Sequence, residues 1–268
     1  MLITKLDFSQ MMLCEAIIDA MVDIRSDFPL SFVQNQLSFL VEKAKDYVGS
    51  ENNSDLKIKK LIELFYHKWG FGGASGTYNV SDVLWLDKVL KTRQGTAISL
   101  SIILIHIASE LKLTLIPIIF PTQLILRVGW VDNYDWLIDP FNGEKINISI
   151  LEAWLKGNIS ANAKLHENDL DEATTISVIY KMLTTLKIAL MEEKKMELAL
   201  NVNKLLLLIN PNDPYEIRDR GLIYAQLDCE HVAINDLTYF IEHCPEDLVS
   251  EMIKFQINII KQKKVTIH

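Results

Sequence analysis

Few side chains in this 268-residue chain can attack, carry a proton or hold a metal. There are three cysteines, Cys14, Cys229 and Cys244, and six histidines, at 67, 106, 166, 231, 243 and 268. The histidines form no HxH or HxxxH pair, no cysteine sits at ligand spacing from one, and CxxC is absent. Neither a metal site nor a disulfide framework is therefore expected. Ser99 shares an apolar run with His106, but seven residues of helix rise separate them by about 10 Å, too far for a nucleophile and its base. His106, set among isoleucines, reads as a hydrogen-bonded core or partner-facing residue rather than a base. The segment Gly70-Phe71-Gly72-Gly73-Ala74-Ser75-Gly76 approaches GxGxxG. It places serine at the last glycine, however, and follows a helix rather than a strand, and no GK[ST] occurs anywhere. It reads as a connecting loop, and no nucleotide or other cofactor is expected.

The elements that must position these residues follow from periodicity. Between residues 9 and 69 apolar positions recur at three and four, as in Phe32, Leu37, Leu40, Val41, Ala44 and Val48, which predicts helices. Breaks at Ser26-Asp27-Phe28-Pro29 and Gly49-Ser50-Glu51-Asn52 separate them. Ser81 or Asp82 is placed to cap a short helix ending near Leu90, and Gly95-Thr96 opens a strongly apolar helix running to about Leu113. The period then changes. Leu115 to Phe120, Gln123 to Val128 and Tyr134 to Ile138 read as three strands, and Asp139-Pro140-Phe141-Asn142-Gly143 reads as a turn. A buried helix followed by strands predicts an α+β core.

From about residue 171 the chain is helical again and repeats. Pro211 and Pro245 lie 34 residues apart, as do Ala199 and Ala233. In Tyr215 to Leu248 the order Gly221, Tyr224, Ala233, Leu237, Pro245 resembles a tetratricopeptide repeat, whose small residues let paired helices approach and whose proline stops the second. The unit before it, Lys181 to Pro214, is degenerate, with Lys187 and Leu190 at the glycine and tyrosine positions. A last helix spans Leu248 to about Lys261. Asn201, Asn203, Lys204, Arg218 and Arg220 are the polar candidates near the repeats, and their residue types suggest solvated helix faces.

Composition narrows the partners. The net charge is −8. Division at residue 170 leaves 16 basic and 20 acidic residues before it and 11 and 15 after it, so each part is at −4 and no basic module is concealed. Nucleic acid is not an expected partner. The most apolar region, Ile98 to Phe120, is interrupted by His106, Glu110 and Lys112, so no membrane span is expected. Odd, scattered cysteines and an N-terminal stretch lacking a long apolar segment suggest the cytoplasm.

Three segments together are specific. Arg93-Gln94-Gly95-Thr96-Ala97-Ile98-Ser99-Leu100 with its buried helix, Phe120-Pro121-Thr122-Gln123-Leu124-Ile125-Leu126, and Leu137-Ile138-Asp139-Pro140-Phe141-Asn142-Gly143 resemble the SirB-type proteins of bacteria. Phe65-Tyr66, Gly70-Phe71 and Asp87-Lys88-Val89-Leu90 agree, and with the repeats the likeness covers nearly the whole chain. The resemblance implies an α+β transglutaminase-like (papain-like) domain with N-terminal helices and a small antiparallel sheet over residues 1–170. An all-α tetratricopeptide-like domain with a capping helix would follow over residues 171–268.

In transglutaminase-like enzymes a cysteine at the start of the central helix, a histidine on a strand and an aspartate on the next form the catalytic set. Carried over, these positions fall at Ala97, Gln123 and Asp139, so only the carboxylate is kept. Alanine cannot attack a carbonyl, and glutamine takes no proton near neutral pH. The expectation is a chain with no catalytic residue, in which Asp139 bonds turn amides and Gln123 reaches across the former cleft. Gln123, Asp139 and Arg127 are the candidates to line that cleft. The leading functional expectation is a non-catalytic cytoplasmic protein that binds a protein or peptide. Two alternatives stand beside it: a residual hydrolase or transferase using the cleft without a thiol, and a regulator of gene expression acting through protein contacts.

Overall fold

A computed structural model describes residues 12–129 and 136–263. By internal contacts the chain divides within a helix, into units at 1–182 and 183–268.

In the first unit, helices α1 (Leu13–Ile24), α2 (Leu30–Val48) and α3 (Ser54–Ile62) come first. The residues after α3, Glu63–Lys68, form a π-helical turn, a widening that the sequence pattern did not predict. Gly72–Gly73 (β1) pairs in parallel with Gln94–Gly95 (β2), so the glycine segment is not simply a loop. Its tightness explains the glycines: a Cβ on Gly73 would lie 2.9 Å from Cδ1 of Phe141. Ser81 and Asp82 fall inside a 3-10 turn, Val80–Val83, rather than capping a helix, and α4 (Leu86–Thr92) starts after Trp85.

Helix α5 (Ala97–Glu110) is apolar on nearly every side, as a helix enclosed by others must be. Helices α1 and α2 pack against it, as do β3 (Leu115–Ile119) and β4 (Leu124–Val128). With β5 (Leu137–Ile138) and β6 (Lys145–Ile146), these strands form an antiparallel sheet in chain order. Part of the third predicted strand, Tyr134 and Asp135, lies outside the described residues. The other face of the sheet is covered too: Ile118, Phe120, Ile125, Leu137 and Ile146 pack with Leu151 and Leu155 of α6 (Ile148–Asn158) and with Leu170. Cover on both faces explains why β4 reads Leu-Ile-Leu before Arg127 instead of alternating strictly.

Helix α7 (Thr175–Glu192) contains the division between the units. The second unit continues as α8 (Met196–Ile209), α9 (Pro214–Gln226), α10 (Glu230–His243) and α11 (Ser250–Lys263). Its hairpins are held as the repeat pattern predicts. A Cβ on Gly221 would stand 2.9 Å from Cγ of Leu237, so the glycine lets α9 and α10 close on each other. Phe240, Ala233 and Leu237 then pack with Ile253, Ile257 and Ile260 of α11.

Candidate functional site

The start of α5 is built by a short-range device. Thr96 caps the helix, its Oγ1 accepting from the Ser99 amide at 3.3 Å, while Ser99 Oγ accepts from the Thr96 amide at 2.9 Å. The Ser99 hydroxyl also donates to the Val83 carbonyl at 2.7 Å, and the side chain is wholly buried. Ser99 therefore ties the helix start to the preceding turn and offers no nucleophile. Gly95 is required beside it, because a Cβ there would lie 2.7 Å from Ser99 Oγ. Ala97, the first residue of α5, is 5% exposed.

The antiparallel register pairs Leu126 with Ile138, which carries the start of β4 to the end of β5. Gln123 and Asp139 meet there, Nε2 donating to Oδ1 at 3.4 Å. The same oxygen accepts from the Phe141 amide at 2.9 Å, so Asp139 bonds a turn amide as expected. The turn is fixed from both sides. The Gly143 amide donates to the Asp139 carbonyl at 2.8 Å, the Gly73 amide to the Phe141 carbonyl at 3.1 Å, and the buried Tyr66 hydroxyl to the Pro140 carbonyl at 2.9 Å. The π-helical turn aims this tyrosine and stacks the neighbouring Phe65 on Phe71, ring centroids 4.2 Å apart. Tyr66 is the member of the site that residue-by-residue chemistry overlooked; its sole signal was the Phe65-Tyr66 pair in the family likeness.

Electrostatics at this turn follow from burial. Partial burial raises the Asp139 carboxyl above the ordinary aspartate range and Glu144 adds to this, while the Phe141 amide and Gln123 pull the other way. Burial, and then the charge of Asp139, hold the Tyr66 phenol far above its usual value. Arg127 is engaged elsewhere, its Nη2 pairing with Glu172. A pocket of about 320 Å³ opens beside the helix start, lined by Gly73, Ala74, Tyr78, Val83, Gly95, Thr96 and Phe141. Its walls are backbone, aromatic and aliphatic groups, with the Tyr78 and Thr96 hydroxyls the polar side-chain groups among them.

His67 shares a pocket with Gly143 of this turn, lined also by Lys59, Ile62, Glu63, Trp136 and Lys145. The other reactive groups are carried by other elements. Cys14 is buried in α1, and burial, with Glu15 adding, pushes its thiol up to about 12, so it stays protonated. Cys229 and Cys244 are in the second unit. His106 lies nine residues along α5 from Ala97, about 13 Å of rise. Of the two readings of His106, hydrogen-bonded core or partner-facing residue, the first is corrected at Nδ1, which is buried without a hydrogen-bond partner, and burial lowers the proton affinity of the ring. Among the described residues no group of three or more metal-binding side chains is assembled, and no helix is long and apolar enough to cross a membrane.

The polar candidates of the repeats need one correction. Asn203 is completely buried, not on a solvated face; its Nδ2 donates to both Oε2 and the carbonyl of Glu216 at 2.9 Å. Arg218 pairs with Asp219 and Arg220 with Asp236, while Lys204 donates to Asn201 on the surface.

A buried helix lying against a small antiparallel sheet, followed by helical hairpins of 34-residue period, defines a transglutaminase-like domain joined to tetratricopeptide repeats. The sequence agrees: residues 31–184 match the transglutaminase-like superfamily and residues 186–258 match the tetratricopeptide repeat. The chain is 60% identical over 266 residues to a UPF0162 protein of Buchnera aphidicola subsp. Acyrthosiphon pisum, covering 99% of each. It is 55% identical over 262 residues both to Protein SirB1 of Salmonella typhimurium and to the UPF0162 protein YchA of Escherichia coli K12, covering 98% of this chain and 97% of each relative. The chain belongs to the SirB1/UPF0162 family of transglutaminase-like proteins with tetratricopeptide repeats.

Proposed function

We propose that this chain is a non-catalytic binding protein of the cytoplasm, in which the transglutaminase-like domain supplies shape and the repeats hold a segment of another protein. The observation that carries this reading is the hydrogen bond from Gln123 to Asp139 beside a helix that begins with alanine. Acyl transfer through a thioester needs a thiolate at the helix start and an imidazole to move its proton. A methyl group and a carboxamide supply neither. Asp139 has turn-forming work that needs no substrate, accepting the Phe141 amide. Helical repeats, in turn, present extended surfaces suited to peptide segments.

Two measurements test the proposal. Purified full-length chain, given glutamine-containing peptide and a fluorescent primary amine, is expected to show no transfer or hydrolysis above buffer; turnover that disappears in Asp139→Asn would overturn the non-catalytic reading. A photo-crosslinking residue placed at exposed Lys204 in living cells is expected to trap a discrete protein adduct. Absence of any adduct there and at Leu208, another exposed site on α8, would remove the binding half of the proposal.

A further inference from the structure

Between α3 and the end of the sheet lies a pocket of about 390 Å³ whose walls are of two kinds. One is basic. Lys59 and Lys145 line it, and neither has an ion-pair partner among the described residues, while Glu63, the carboxylate beside them, is held by Lys68 at 3.7 Å. The other wall is apolar, formed by Trp136 and Ile62, with Gly143 contributing bare backbone. A chain of net charge −8 has thus gathered two ammonium groups and the His67 imidazole beside an indole ring.

The elements make this meeting specific. Antiparallel register pairs Ile138 with Lys145, so both share a face of the sheet with Trp136, two residues before Ile138. The opposite face, carrying Leu137 and Ile146, is closed by α6. Lys59, Glu63 and His67 follow at intervals of four along α3 and the π-helical turn, which places them on one side. The two sets are brought together at Gly143, where a Cβ would fall 2.8 Å from Ile62 Cγ2. The glycine lets helix and turn close, and the long side chains stand round the space that is left. Lys59 Nζ is 5.7 Å from the centre of the Trp136 ring, so attraction to the ring keeps its ammonium at the pocket.

We infer that this pocket binds a small organic anion with a flat apolar body, an aryl carboxylate or aryl phosphate. The anionic group sits between Lys59 and Lys145, with His67 as a further donor, and the ring lies against Trp136 and Ile62. Recognition needs both parts. Exposed lysines draw an anion in as point charges but hold it weakly in water. The apolar wall adds binding that charge alone does not supply. The volume is at the lower end for small-molecule sites, which suits one ring with one charged group rather than a larger cofactor. This site shares the Gly143 turn with the Gln123–Asp139 contact and does not depend on what the repeats hold.

Nuclear magnetic resonance of the full-length, nitrogen-labelled chain provides the test, because its five tryptophans give separate indole N–H signals. The signal lost in Trp136→Phe reports on the pocket. Titration with phenyl phosphate and, separately, with benzoate is expected to shift that signal saturably below about 10 mM. The tighter of the two shows whether the lysines prefer a dianion or a monoanion. Inorganic phosphate, which lacks the ring, and benzylamine, which lacks the negative charge, should each bind at least about tenfold more weakly. Lys59→Gln and Lys145→Gln are each expected to weaken the aryl anion about threefold, and together about tenfold. The other indole signals should stay in place in these variants, which shows that the fold is intact. The inference is overturned if neither aryl anion shifts the Trp136 signal saturably, or if affinity is unchanged in the double variant. Benzylamine binding as tightly as phenyl phosphate would remove the basic half of the recognition, and inorganic phosphate doing so would remove the apolar half.

Discussion

Lys187 Nζ lies 2.5 Å from Glu216 Oε2 where just 1% of the lysine side chain and 5% of the glutamate side chain meet solvent. Asp219 Oδ2 is 2.7 Å from the same ammonium, and Asn203 also donates to the glutamate. One 34-residue repeat later, the places of Lys187 and Asn203 are taken by Gly221 and Leu237, which touch through a small apolar contact. The first hairpin thus replaces a glycine-on-leucine contact with a buried ion cluster, and α9 supplies the acids that make the lysine tolerable. Removing one partner of a buried pair is far costlier than removing the pair. Lys187→Met is therefore expected to lower the stability of the repeat unit by about 3–5 kcal/mol. Combining it with Glu216→Gln and Asp219→Asn should recover part of that loss, as urea unfolding followed by circular dichroism would measure.

The carboxyl of Asp139 gives a pH signature. Burial raises its proton affinity in the folded chain above that in the unfolded chain. The sign follows: folding favours the protonated acid, so this contribution is full below the unfolded value and is lost as pH rises through the folded one. Asp139→Asn cannot ionise yet keeps an oxygen for the Phe141 amide. The stability of the natural chain relative to Asp139→Asn is expected to fall as pH rises from about 4 to 7. Parallel denaturant titrations across that range would check it, and a difference growing with pH would show that the charged form is the one the fold prefers.

Gly143 and Tyr66 make the turn after Asp139 intolerant of change. Gly143 has φ of +77°, and a Cβ would fall 2.4 Å from Tyr66 Cδ2. The left-handed backbone costs a non-glycine residue about 1–2 kcal/mol, and crowding a packed ring typically about 1–3 kcal/mol. Gly143→Ala should destabilise by the larger part of that sum. Tyr66→Phe should lose about 1–3 kcal/mol for a different reason, leaving the Pro140 carbonyl buried and unpaired. If thermal melts showed the two variants to be as stable as the natural chain, this turn would not be the rigid link described here.

What could be read from the sequence was set by short-range rules. Thr96 before an apolar run announced a helix start, Asp139-Pro140 followed by Asn142-Gly143 announced a turn, and the 34-residue spacing announced hairpins. The family likeness then brought Gln123 beside Asp139, a pairing 16 residues apart that depends on strand register. Features set by distant partners stayed hidden. A two-residue strand such as β6 has too little period to register. The π-helical turn at Glu63–Lys68 keeps a helical pattern of residue types while shifting where they point. Asn203 looked solvated by type because its partner lies on the next helix, and His106 was assigned a hydrogen bond that its neighbours do not provide.

Gly221 offers the cleanest separation of packing from backbone preference. Its φ is not in the left-handed region, so alanine there meets no backbone strain, and in a helix interior alanine is favoured over glycine by about 1 kcal/mol. Against that gain stands contact: the new Cβ would lie 2.9 Å from Leu237 Cγ and 3.0 Å from Asp236 Cβ. Overpacking of this kind costs about 1–3 kcal/mol. The two effects oppose each other, and the contact with Asp236 Cβ tips the balance because that atom is held close to the α10 backbone while Arg220 grips the carboxylate at 2.7 Å. Gly221→Ala is expected to be net destabilising by up to about 2 kcal/mol, measured by denaturant unfolding of the full chain. Adding Leu237→Ala should cost less in that background than in the natural one, because the methyl group fills part of the space the leucine vacates. A stabilised Gly221→Ala chain would mean that α9 and α10 separate easily, and that the glycine is not what sets their approach.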